Sequence, residues 1–179
     1  MKLNKIILSF VSALVILFST SVASFAKVVG DKIILGAAIS LTGKYSSNGV
    51  HTQNGYNMAV DRINSMGGVK VGGKTYKFDI IYYDDESNPK RAAQLAERLI
   101  SQDGVEFMLG PYSSGLTKAI APVTEKYGVP MVEANGASRS LFTKGYKYLF
   151  AVLAPANLYL DVAIAVSYTH QTLPTILLV

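Results

Sequence analysis

The chain has 179 residues with no cysteine and no tryptophan, and 17 Lys and Arg against 12 Asp and Glu give a formal charge of +5. That length supports a proper core, and the lack of cysteine excludes disulfides, a thiolate nucleophile, a zinc–cysteine site and a lipid-modified cysteine. The basic residues are scattered and are not gathered with interleaved aromatics, so nucleic acid is excluded as a partner.

Lys2 and Lys5 precede the apolar Ile6-Ile7-Leu8, Val11 to Phe18 extends the run, and Ser24-Phe25-Ala26 places small residues at a cleavage site. This is the layout of a secretory signal peptide over 1–26, and its apolar core is shorter than the roughly 20 residues a membrane span needs. The expected mature chain begins at Lys27 and keeps a charge of +3, since the leader holds two of the lysines and no acid. An exported, periplasmic or otherwise extracytoplasmic location follows.

Ile33 to Ser40 is an apolar run of strand length, followed by turn chemistry from Thr42 to Gly49. Tyr56, Val60, Ile63 and Met66 recur at helical spacing up to Gly67-Gly68. A small hairpin turning on Gly72-Gly73 feeds a second long strand, Tyr76 to Tyr83. Asn88-Pro89 supplies a helix start, and Ala92, Leu95, Ala96 and Leu99 form that helix's buried face up to Gly104. Val105 to Leu109 reads as a third strand. Leu116, Ile120, Val123 and Tyr127 mark a third helix, which Pro122 is expected to kink or split and Gly128-Val129-Pro130 to end. Met131 to Ala134 and Tyr148 to Leu153 complete the strands.

Strands alternating with helices predict an α/β fold, a parallel sheet flanked by helices on both faces. Ligands in such sheets lie beyond the carboxyl ends of the strands, at the loops 41–49, 84–88, 110–115 and 135–138. The first loop is no phosphate cradle. Six residues separate Gly36 from Gly43, and Tyr45 follows Lys44 where a P-loop needs Ser or Thr, so Lys44 reads as solvated. Ser113 half-matches a nucleophile elbow, with Pro111 where a glycine belongs, and no credible base accompanies it. Asp84-Asp85-Glu86 reads as a solvated acidic strand end, not a metal site. Ser113 and Ser114 stand between a strand and a helix, where hydroxyls and helix-start amides bind anions. Ordinary capping by Ser114 explains the same residues, as a plain turn explains Asn135-Gly136.

The segments IILGAAISLTGKYSSNG, YYDDESNPKRAAQLAERLI, FMLGPYSSGLTKAIAPVTEKYGVPMVEANGAS and LFTKGYKYLFAVLAPAN occur in this order. Together they resemble the leucine/isoleucine/valine-binding family of exported solute-binding proteins. The resemblance implies a type I periplasmic binding fold of two lobes, of which 27–153 is the N-terminal ligand-binding lobe and 154–166 the crossover and start of the second. It implies a non-enzymatic, cofactor-free protein, monomeric when complete, that delivers a branched-chain amino acid or related amide to the permease subunits of an ABC importer. It places the ligand carboxylate on Ser114, with Ser113 beside it. It assigns further contacts to Asn135, Gly136, Ala137 and Ser138, and to Tyr45 and Ser46 on the first loop. Ala137 departs from the family's usual threonine.

The second lobe is expected to be absent, the chain being an N-terminal fragment, and 167–179, containing SYTHQTLPT, is expected to be a non-native tail. Alternatives are a ligand-sensing domain of the same fold, or an exported α/β hydrolase.

Overall fold

The computed structural model describes residues 28–161 and 163–167. The expected leader, and the expected non-native tail from 168 onward, lie outside the described residues.

The sheet is built around β2, Lys32–Ile39, whose eight residues pair in parallel along their whole length with β4, Lys74–Asp84. On its other side β2 pairs with the short β5, Met108–Leu109, followed outward by β6, Met131–Glu133, and β7, Leu149–Ala151, all parallel. Two antiparallel additions make the sheet mixed. One is β3, Val69–Val71, the expected hairpin partner of β4 on the glycine turn. The other is β1, Val28–Val29, which folds back on the start of β2 and has no counterpart in the sequence reading. Three strands are shorter than expected, at 108–109, 131–133 and 149–151.

Three helices of more than two turns cover the sheet: α1, Ser46–Ser65; α2, Pro89–Ser101; and α3, Ser114–Tyr127. A one-turn α4 spans Arg139–Phe142. Strand alternation assigns the faces. Ile34 and Ala38 of β2, Met108 of β5 and Met131 of β6 point to α2 and α3, where Ala92, Ala96, Leu99, Leu116 and Ile120 meet them in one buried cluster. Gly36 lies on this face because a Cβ there would come within 2.9 Å of both Met108 Sδ and Val105 Cγ1. The Asn88 cap forms as expected, its side chain accepting from the amides of Lys90 and Arg91 at 2.9 and 3.2 Å.

On the opposite face α1 lies over β2 and β4. The Tyr82 hydroxyl donates to Asn57 at 2.8 Å, while its neighbour Tyr83 turns the other way beneath Arg98. Asn64 closes the edge of β4 by donating to the carbonyl of Phe78 and accepting from its amide.

Two helix expectations fail for physical reasons. α3 runs through Pro122 unbroken. Pro122 is exposed, and the carbonyl it leaves without a donor belongs to Lys118, also exposed, while Ile120 and Thr124 dock the turns on either side. α1 starts nearly three turns before its apolar pattern does, because its first buried positions are Gly49 and Thr52. A Cβ at Gly49 would collide with the Ser40 carbonyl, so only glycine lets the helix start lie against the end of β2. Met66, expected on the buried face, is 69% exposed at the helix end.

Candidate functional site

The four strand-end loops meet at one rim of the sheet, and two of them are fixed by carboxylates. Asp84 accepts from the amides of Leu41, Thr42 and Glu86 and from the Thr42 hydroxyl, all within 3.1 Å. Burial alone would raise its pKa, but these donors outweigh that and hold it below the usual carboxylate range. Asp85 is fully buried. Its Oδ1 accepts from the Ser40 hydroxyl at 2.6 Å and the Ser87 amide at 2.8 Å, its Oδ2 has no partner, and desolvation pushes its pKa up. The acidic run is therefore not a solvated strand end. Two of its members face inward because the turn through Glu86 and Ser87, both at positive φ, brings amide donors around them. Ser87 then accepts from the Tyr45 amide at 2.9 Å and locks the first loop to the second.

The loop after β5 carries backbone strain. Ser113 has φ 84° and ψ 138°, a region non-glycine residues seldom occupy, and such outliers gather at functional sites. Its hydroxyl accepts from the Leu116 amide at 3.3 Å, so Ser113, not Ser114, caps α3. Ser114 is thereby released from capping. Its Oγ accepts from the Ser138 amide at 3.0 Å, joining the loop after β5 to the loop after β6. The Ser114 hydroxyl proton and the amides of Ser114 and Gly115, the first two of a 14-residue helix, have no acceptor among the described residues, an arrangement suited to an anion.

Beneath these loops lies a buried polar cluster that the sequence reading did not single out. Glu133, at the end of β6, is fully buried. Its Oε1 accepts from the amides of Asn135 and Gly136 at 2.5 and 2.6 Å, and its Oε2 lies 2.5 Å from Thr117 Oγ1. Thr117 Oγ1 is also 2.9 Å from the Ser113 carbonyl, so one hydroxyl proton faces two acceptors. A protonated Glu133 donating to Thr117, which donates to Ser113, satisfies every atom. Burial raises the Glu133 pKa in that direction, against the opposing hydrogen bonds of Thr117 and the loop amides. Gly110 and Gly136 wrap this carboxyl group, and a Cβ on either would press into it or into Thr117. The Tyr56 hydroxyl donates to the Gly110 carbonyl at 2.7 Å, and burial raises its pKa strongly.

A cavity of about 390 Å³ opens beside this cluster, lined by Asn48, His51, Thr52, Gly55 and Tyr56 of α1, by Tyr112, and by Ala134 and Asn135. Of the expected site residues, Asn135 lines it directly. Tyr45 is brought to it through Tyr112, their ring centroids 5.7 Å apart. Ser114 and Ser138 are joined by the contact above and Ser113 caps α3, but none of the three lines the cavity itself. Ala137 faces away in one respect, its carbonyl accepting from the Ala156 amide at 2.8 Å. Ser46 opens α1 with its amide donating to the Gly43 carbonyl, and Lys44 is exposed, as expected, 5.2 Å from the Tyr45 ring. The polar residues of α1 gave one usable signal: Asn48, His51, Thr52 and Gly55 recur at spacings of three and four. Glu133 gave none.

Comparison with known proteins bears on the fold and the family. Residues 32–171 match the family described as periplasmic binding protein. The leucine-, isoleucine-, valine-, threonine- and alanine-binding protein of Pseudomonas aeruginosa is 29% identical over 158 residues, covering 86% of this chain. This chain spans 41% of that relative's length. Among solved structures, the branched-chain amino acid transporter substrate-binding protein LivJ of Streptococcus pneumoniae, in complex with isoleucine, superposes with a TM-score of 0.62 at 32% identity, over 69% of this chain and 34% of that one. A solute-binding protein of an ABC transporter from R. palustris, in complex with 4-hydroxybenzoate, superposes at 0.64 with 29% identity, over 79% of this chain and 37% of that one.

Proposed function

From the premise that the chain belongs to the periplasmic binding protein family, whose members bind solutes and are not enzymes, we propose that the complete protein is an exported receptor for an amino acid or related amide and delivers it to the permease of an ABC importer. Among the described residues no helix is long and apolar enough to cross a membrane. In this proposal residues 27–153 form the first ligand-binding lobe, 154–166 lead toward a second, and the complete protein is monomeric.

The observation that carries the reading is the serine bridge. Ser114 Oγ accepts from Ser138, which leaves its own proton available for a ligand beside the start of α3. A ligand carboxylate there receives a hydroxyl donor and the favourable end of the helix dipole. Ser113 supports the loop from behind. Asn135 and its neighbour Ala134 offer carbonyls to an ammonium group, Gly136 and Ser138 fix the loop, and Tyr45 with Ser46 borders the opening. Ala137 supplies no hydroxyl. Closure of a second lobe would exclude water and strengthen each polar contact.

Isothermal titration of the complete protein with branched-chain amino acids and simple amides tests this. Ser114→Ala should weaken binding by about 1–3 kcal/mol, the usual effect of removing one donor from a buried anion. Unchanged affinity would take Ser114 out of the site.

A further inference from the structure

The superposed relatives hold two kinds of ligand, an amino acid with a charged ammonium group and an aromatic acid without one. The loop after β6 separates them. Its amides are the donors a carboxylate or phenol would use, yet those of Asn135 and Gly136 are turned inward onto Glu133 Oε1, and that of Ser138 onto Ser114 Oγ. Within a peptide unit the N–H and C=O point opposite ways, so these two inward amides turn the carbonyls of Ala134 and Asn135 outward, and both residues line the cavity. Neither carbonyl receives an internal donor among the described residues. Ser114 and the start of α3 therefore offer donors, and the loop after β6, joined to Ser114 through the Ser138 amide, offers acceptors.

Resting on the amino-acid reading above, we propose that Glu133 is a positioning residue for specificity. By holding the Asn135 and Gly136 amides away from the cleft it makes the loop after β6 an acceptor wall, which admits an ammonium group and rejects acids that lack one. The residue is fully buried, so it never touches the ligand and acts only through the loop. The glycines at 110 and 136 belong to the same device, since side chains there would displace the carboxyl group. The arrangement does not depend on the charge of Glu133, because Oε1 accepts from both amides whether or not Oε2 carries a proton. A glutamine in this place could keep Oε1 on the two amides and donate to Thr117 with its nitrogen. A methionine fills the space and accepts nothing, which frees both amides to turn outward.

The test is a matched-pair titration on the complete protein: leucine against 4-methylpentanoate, phenylalanine against 3-phenylpropanoate, and 4-hydroxybenzoate alone. Wild type should prefer the amino acid of its best pair by about tenfold or more, because acceptors left without a donor penalise the deaminated ligand. Glu133→Met should shrink that preference to about threefold or less, and Glu133→Gln should keep it. A purely structural Glu133 would weaken both members of a pair equally, and an unchanged ratio in Glu133→Met overturns the proposal. If Glu133→Met does not fold, the wild-type ratio decides: equal binding within a pair overturns this inference and leaves the amino-acid reading standing. Binding of 4-hydroxybenzoate alone, or of no probe, overturns both.

Discussion

Beneath α2 and α3 the sheet meets interlocked apolar side chains, with Ala92, Ala96, Leu99, Leu116, Ile120 and Met131 at 0% exposure. Across the same strands, the α1 face holds a tyrosine hydroxyl on a backbone carbonyl, an asparagine that closes a strand edge, and a polar cavity. Farther along that face Val132 and Phe150 stand partly open to solvent beside their dry counterparts Met131 and Leu149. One residue of register separates the two environments. The difference teaches a division of labour: the α2–α3 side supplies most of the cohesion, and the α1 side, dry along Ile33, Ala37 and Ile39 of β2, leaves room toward the rim for polar groups that serve recognition.

The comparison breaks most visibly at Leu99. It is fully buried, and its Cδ1 packs where a Gly36 side chain would otherwise sit. Leu99→Ala should cost about 3 kcal/mol, the lost transfer energy plus a residual cavity, measured by urea unfolding. A loss under about 1 kcal/mol would mean that this face relaxes as readily as its opposite and that the division is false.

That face was also the part most readable in the sequence. Ala92, Leu95, Ala96 and Leu99 keep helical spacing, and Asn88-Pro89 marks the start, so local chemistry and burial agree. α1 was half legible for the converse reason. Its inward positions include a glycine, a threonine and a tyrosine with a polar task, and no apolar period registers them. Ser113 and Ser114 were legible as a pair between strand and helix, but their roles depend on a backbone angle and on Ser138, 24 residues away. Asp85 and Glu133 were illegible. A carboxylate reads as solvent-facing unless the donors that enclose it are known, and those donors are backbone amides positioned by the finished fold.

Asp85 sharpens the comparison through pH. Its desolvation raises the folded-state pKa above the unfolded value near 3.9. Between the two values the folded state binds more protons, so the stability Asp85 contributes is full at low pH and is lost as pH rises through the folded pKa. Asp85→Asn removes the titration. Subtracting its stability profile from that of wild type should leave a curve that falls from about pH 4 toward neutrality. A flat difference would mean that Asp85 is as well solvated as a surface acid, and that the rim holds no strained carboxyl group.

The smallest effect belongs to Phe150, 53% exposed on the outer part of the α1 face. An aromatic side chain buried on both flanks would cost several kcal/mol to truncate, but here half of that surface is already in water. Phe150→Ser in the 179-residue chain should therefore cost no more than about 1 kcal/mol in urea unfolding, with an unchanged dependence on denaturant. The same change at Leu149, its neighbour turned toward α3, removes a side chain that is only 9% exposed and should cost at least twice as much. Equal losses at 149 and 150 would show that both faces are covered alike. The outer α1 face would then belong to the core, and the division of labour between the faces would have to be abandoned.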